Sequence, residues 1–114
     1  MVVYGDGRQT RDFTSVGSVV AVLPRRGRCV TRPQPVNLAF GSRRSLLDVV
    51  AALEAVLGHR VDVVHAEPRP GDVRDSQADS SALQLLFPDV APVDFLAGLR
   101  ATVEWFRVSA AKPT

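Results

Sequence analysis

Only one cysteine, Cys29, occurs in the 114 residues, so no disulfide can close within the chain. A lone thiol fits a reducing compartment, and no Cys or His stands beside it at metal-ligand spacing. The two histidines, His59 and His65, are isolated from each other and read as a helix-end and a strand-end residue, which excludes a metal centre of the usual His/Cys kind. Tyrosine and lysine each occur once, as Tyr4 and Lys112. No apolar run approaches the ~20 residues of a membrane span, and the first residues lack the basic region, apolar core and small-residue cleavage site of a secretory leader. A cytoplasmic protein with no membrane association is therefore expected. Ser42, Ser45, Ser80 and Ser81 have no nearby histidine, which gives no support to nucleophilic hydrolysis.

What is present fits one globular domain, with 46% hydrophobic and 23% charged residues. The net charge is only +2, yet thirteen of the fourteen basic residues are arginine. A guanidinium grips phosphate bidentately, although a GC-rich coding sequence yields the same bias. Arg25, Arg26, Arg28 and Arg32, with Arg43 and Arg44 beyond, have neither an aromatic platform nor a recognised motif, so nucleic acid is not an expected partner. Asp72, Asp75 and Asp79 are spread along a loop and a helix start and read as solvated. Neither repeats nor low-complexity tracts occur.

Val2 to Tyr4 is a β-branched and aromatic run ended by Gly5-Asp6-Gly7, which predicts a strand entering a tight turn. Ser18 to Leu23 suits either a helix or a strand by periodicity. Val36 to Phe40 reads as a buried strand. Ser45 followed by Asp48 makes a capping-box start, and Leu46, Val49, Val50, Leu53, Val56 and Leu57 recur at helical spacing until Gly58. Val61 to His65 predicts a short strand with Val61 and Val63 on one face and Asp62 and Val64 on the other. Asp79 caps a short helix bearing Leu83, Leu86 and Phe87, stopped by Pro88. The last helix is expected from near Pro92 to about Arg107, with Leu96, Leu99, Val103 and Phe106 as its core stripe.

Five segments in order carry a resemblance. They are Val2 to Phe13, with Arg11 after the glycine-bracketed turn; Pro35 to Gly41; Ser45 to Val50; Pro68-Arg69-Pro70-Gly71-Asp72-Val73-Arg74-Asp75-Ser76; and Gly98-Leu99-Arg100-Ala101-Thr102-Val103-Glu104-Trp105-Phe106. Together they resemble the C-terminal, substrate-binding portion of the extended short-chain dehydrogenase/reductases, the NAD-dependent nucleotide-sugar epimerases and dehydratases. The resemblance implies a small α/β domain of about three short strands and four helices, without the Rossmann half, spanning residues 1–109 before a disordered tail at 110–114. It also makes Ser18 to Leu23 a helix and Val36 to Phe40 the family's last sheet strand. One departure stands at Ser15, Gly17 and Ser18, where the family has an aromatic and two aspartates; losing that acidic helix start and adding glycine predicts a weaker helix. The arginines between Pro24 and Pro35 replace small and apolar residues and put local order there in question.

By this resemblance Arg11 and Arg69 hold the diphosphate of a nucleotide sugar from two sides, and Asp72 accepts a bond from a ribose hydroxyl. Gln9, Tyr4 and Arg74 would lie beside the base and phosphates. Without it, the arginines are ordinary surface or ion-paired residues. Redox epimerisation needs a glycine-rich turn under the cofactor pyrophosphate and a Tyr-x-x-x-Lys pair. Thr10 stands where a third fingerprint glycine would fall, and Tyr4 and Lys112 cannot form the pair. No catalytic residue and no cofactor site are therefore expected on this chain, NAD being implied only for a complete enzyme or a partner subunit.

In relatives the helix bearing Val19 and Val20 and the strand from Val36 to Phe40 pack on the cofactor-binding half. Unsupported, they predict a homo-oligomer or a complex with an NAD-binding chain. Two readings follow. One is a truncated or split epimerase/dehydratase that binds nucleotide sugars and is catalytically incomplete alone. The other is a repurposed binding, interaction or small-molecule-processing module whose arginines are relics.

Overall fold

A computed structural model describes residues 1–23 and 35–110. Among these, four short strands and four helices follow one another as β1 (Val2–Tyr4), β2 (Thr10–Arg11), α1 (Val16–Val22), β3 (Arg44–Ser45), α2 (Leu46–Leu57), β4 (Val64–Ala66), α3 (Ser81–Leu86) and α4 (Phe95–Ala110). The result is a small α/β fold with four helices and few strands, as the sequence implies. The arginines from Arg25 to Arg32, Cys29 and Lys112 lie outside the described residues, as does the tail beyond Ala110.

Val3 is 2% exposed and centres a parallel pair in which β1 meets β4 at Val2↔Val64, Val3↔His65 and Tyr4↔Ala66. Strand β4 begins three residues later and ends one later than the sequence suggests, because the ladder starts at Val2↔Val64 and gives residues 61–63 no partner strand. The alternation from Val61 to Val64 holds nonetheless, with Val61 and Val63 half-buried and Asp62 and Val64 exposed. A second, antiparallel pair joins β2 to β3 at Thr10↔Ser45 and Arg11↔Arg44.

Helix α2 forms where its periodicity places it. The Ser45 hydroxyl accepts from the Asp48 amide at 3.1 Å, and the Asp48 carboxylate accepts in return from the Ser45 amide at 2.9 Å. Two amides of the first turn that have no intrahelical partner are thereby satisfied. At the far end Gly58 takes φ 77°, a left-handed cap that glycine adopts without steric penalty.

Residues 36–40 are a correction: the described structure contains no strand there. A strand exists only with a ladder partner, which residues 36–40 lack among the described residues, and the chain is anchored by side chains just beyond them. Asp12 accepts from the Gly41 amide at 3.1 Å and the Ser42 hydroxyl at 2.9 Å, while Gln77 donates to the Gly41 carbonyl. Ala39 alone of these five residues is fully buried.

Helix α1 forms despite its missing acidic start. Ser15 caps it by accepting from the Gly17 amide, and Ser18, 1% exposed, accepts from the Val93 amide at 2.9 Å. The hydroxyl of Ser18 thus ties α1 to the approach to α4. On α3, Leu83 is buried and Leu86 and Phe87 are half-buried, while Asp79 accepts from the Ser81 amide at 2.8 Å just before the helix. Helix α4 starts at Phe95 rather than near Pro92, since Asp94 caps it through the Ala97 amide. Its expected core stripe is only partly covered. Leu99 and Val103 are half-buried, whereas Leu96 and Phe106 remain exposed, Phe106 meeting the Trp105 ring edge-to-face at 4.9 Å.

Candidate functional site

The turn after β1 is built to be tight. Gly5 and Gly7 both have positive φ, 76° and 74°, and the carbonyls of Gly7 and Gln9 accept from the first amides of α2, Leu47 at 3.1 Å and Leu46 at 3.3 Å. The N-terminus of α2 therefore seats on the turn and fixes where the chain turns into β2. Opposite lies the 69–76 loop, joined to β2 by Thr10 donating to the Arg74 carbonyl at 2.8 Å and by Ser76 donating to the Thr10 carbonyl at 3.1 Å.

These two chain stretches bring all six residues singled out in the sequence into one cluster. Arg11 Nη2 pairs with Asp72 Oδ1 at 2.8 Å, and its Nη1 donates to the carbonyls of Thr10 and Arg74. The Arg69 guanidinium stacks over the Tyr4 ring, 3.8 Å from the centroid. The Tyr4 carbonyl in turn accepts from Gln9 Nε2 at 2.8 Å. Arg74 reaches Asp6 at 3.1 Å, and the Asp72 amide donates to the Arg69 carbonyl across the tip of the loop. Asp72 is thus shared: its carboxylate, expected to face a ribose, neutralises Arg11. Arg69 has no carboxylate partner among the described residues.

The sequence reading missed three further members. Thr10, Arg43 and Asp75 close a triangle at the loop, so Asp75 is anchored although its side chain remains half exposed to solvent. No periodic signal links residues so far apart in sequence. His65 Nδ1 donates to the Gly5 carbonyl, 2.8 Å away, and so supports the turn. Among the described residues no group of three or more His, Cys, Asp or Glu is arranged to hold a metal ion, and no helix is long and apolar enough to cross a membrane.

Hydrogen bonds to the ionised form hold several carboxyls below the usual aspartate range. For Asp6 the main cause is the Arg8 amide, for Asp75 the Thr10 hydroxyl and then Arg43, and for Asp48 the Ser45 amide and then its hydroxyl. A folded-state pKa below the unfolded value, about 3.9, means that the stabilisation is complete above that value and is lost as pH falls through the folded one. The thermal midpoint is expected to stay level from neutral pH to about pH 5 and to drop below about pH 4. A midpoint unchanged down to about pH 3 would contradict these assignments.

The Gly5-Asp6-Gly7 turn does not fit a dinucleotide. A pyrophosphate cradle needs open glycine faces and a helix starting at the turn. Here Leu47 Cδ2 lies 2.8 Å from where a Gly7 Cβ would sit, and the chain continues into β2.

The chain is homologous to a portion of the NAD-dependent epimerase/dehydratases of the extended short-chain dehydrogenase/reductase family. It is 30% identical over 105 residues to UDP-glucose 4-epimerase of Mycolicibacterium smegmatis, covering 92% of this chain and 34% of that protein. The structure of MoeE5 in complex with UDP-glucuronic acid and NAD superposes with a TM-score of 0.83 at 33% identity, over 96% of this chain and 37% of that one. UDP-N-acetylglucosamine 4-epimerase of Methanobrevibacter ruminantium M1, in complex with UDP-N-acetylmuramic acid, gives a TM-score of 0.84 at 31% identity, over 95% and 34% of the two chains. The chain spans about a third of the length of each. No protein-family model matches the sequence.

Proposed function

We propose that this polypeptide binds the nucleoside diphosphate part of a nucleotide sugar at the Arg11–Arg69–Asp72 cluster, and that hydride chemistry on that sugar requires groups outside the 114 residues of this sequence. The observation that carries the proposal is the convergence of Tyr4, Gln9 and Arg11 with Arg69, Asp72 and Arg74 on one patch. The Arg11–Asp72 pair, with the Arg69 guanidinium stacked on Tyr4 in the same pair of chain stretches, suits a diphosphate attached to a ribose, since guanidinium forks bind phosphate oxygens and a carboxylate accepts from hydroxyls. Solved neighbours hold UDP-sugars, which supports the same ligand class here. The patch is open to water, which weakens each contact, so affinity is modest. Calorimetric titration of UDP-glucose and a dTDP-sugar against wild type and Arg11→Ala tests the reading. Binding that is absent, or indifferent to Arg11, rejects it.

The reading also assigns an occupant to the bare side of α1. Val16, Val20 and Leu23, 75%, 58% and 54% exposed, recur at helical spacing on one face, an apolar stripe suited to the cofactor-binding part of such an enzyme or to a second copy of this chain. Size-exclusion chromatography with light scattering is expected to show self-association that Val20→Lys abolishes. A monomer at high concentration, together with no capture of a Rossmann-type chain, would reject this assignment.

A further inference from the structure

The six-residue cluster depends on where the 69–76 loop lies, and that loop is not part of either sheet. Its attachment converges on Thr10. The backbone of Thr10 bonds to both sides of Asp75, through Arg74 and Ser76, in an isolated parallel bridge. The Thr10 hydroxyl donates to Asp75 Oδ1 at 2.5 Å and accepts from Arg43 Nε at 3.1 Å, while Arg43 Nη2 meets the same Asp75 oxygen at 2.6 Å. Three side chains from three separate stretches thus close a triangle. Arg43 immediately precedes β3, which pairs with β2 and continues into the capped start of α2, so the triangle references the loop to the most regular helix of the fold.

We infer that Arg43 and Asp75, linked through Thr10, are positioning residues: they form a clasp that sets the 69–76 loop against β2 and thereby fixes Arg69 and Asp72 relative to Arg11. The inference rests on the proposed diphosphate site for its functional consequence, but its structural half stands without it. Both partners are about half exposed, 53% and 51%, so the pair contributes little to global stability. A loop, however, opens locally at far smaller free energy than the whole fold, and a contact too weak to move the melting point can still decide its resting position. Arg43 and Asp75 touch neither Arg69 nor the Arg11–Asp72 pair through any hydrogen bond or ion pair among the described residues, which separates the clasp from the grip itself.

The test compares wild type, Asp75→Asn, Arg43→Gln and the exchanged pair Arg43→Asp with Asp75→Arg. Hydrogen exchange at the Ser76 and Asp72 amides and titration with UDP-glucose are read on each, with the thermal midpoint as control. Both single variants are expected to speed exchange across 69–76 and to weaken UDP-glucose by about two- to five-fold, with the midpoint lowered by no more than about 4 °C and the exchanged pair restoring exchange and affinity. Unaltered exchange in the single variants overturns the clasp. Faster exchange with unaltered UDP-glucose affinity overturns the positioning role. If wild type itself does not bind UDP-glucose, the proposed function fails while the exchange data still decide whether the clasp exists.

Discussion

Gly7→Ala lowers the thermal midpoint by about 10–20 °C, the largest effect expected of any single methyl group added to this chain. Two independent costs act at that position. Gly7 has φ 74°, a left-handed conformation in which an L-residue loses about 1–2 kcal/mol. Its added Cβ would also meet Leu47 Cδ2 at 2.8 Å, Leu47 Cγ at 3.0 Å and Val3 Cγ1 at 3.4 Å. Val3 is at the centre of β1 and fully buried, so it cannot retreat, whereas Leu47 is 40% exposed and must turn its side chain toward solvent, giving up its packing on the turn. Overpacking of this kind adds about 1–3 kcal/mol. Gly58→Ala supplies the control, because Gly58 has nearly the same φ, 77°, and nothing within 4 Å of its missing Cβ. It isolates the conformational cost, and equal midpoints for the two variants would refute the steric contribution. The turn also carries Gln9 and Arg11 into the cluster, so residual folded Gly7→Ala protein is expected to bind nucleotide sugars less well.

The legible parts of the fold were those in which local signals agree. For α2, apolar spacing, the Ser45–Asp48 capping box and the Gly58 stop all specify the same twelve residues, and the helix lies there. The stretch from Val36 to Phe40 shows the opposite case. Its residues suit a strand, but a strand is a relation between two chains of amides, and the described fold supplies side-chain anchors at Gly41 and Ser42 instead. Helix α4 is intermediate: its period gives the helix correctly, whereas which part of the apolar stripe is covered depends on neighbours that periodicity does not encode, leaving Leu96 and Phe106 exposed. The site divides in the same way. Arg11 and Arg69 stood out through resemblance to a known arrangement of motifs, since nothing in composition distinguishes them from eleven other arginines. Thr10 and Asp75, 65 positions apart, had no signal at all, because their relation arises only when β1, β4 and the loop have folded together.

Arg11→Ala is expected to weaken UDP-glucose binding by about ten- to one-hundred-fold, whereas Arg11→Lys recovers only part of the loss. Each hydrogen bond between a charged donor and a phosphate oxygen contributes about 1.5–3 kcal/mol, and 1.4 kcal/mol is one decade of affinity; on a patch open to water one such bond at the low end of that range sets the ten-fold bound and two set the upper one. The Arg11 side chain is 30% exposed and fixed at three points, by Asp72 and by the carbonyls of Thr10 and Arg74, so little conformational entropy remains to be lost on binding. Lysine keeps the charge but loses the planar fork, and it cannot hold both carbonyls and Asp72 while facing a phosphate. The contrast with Asp72→Asn sharpens the argument. Removing that carboxylate leaves Arg11 without its internal counter-ion, which favours inorganic pyrophosphate, and it also removes the acceptor proposed for the ribose, which disfavours the nucleoside. Pyrophosphate and UDP-glucose should therefore respond to Asp72→Asn in opposite directions. If both ligands instead tighten together, Asp72 is only a competitor for Arg11, and the ribose role assigned to it is wrong.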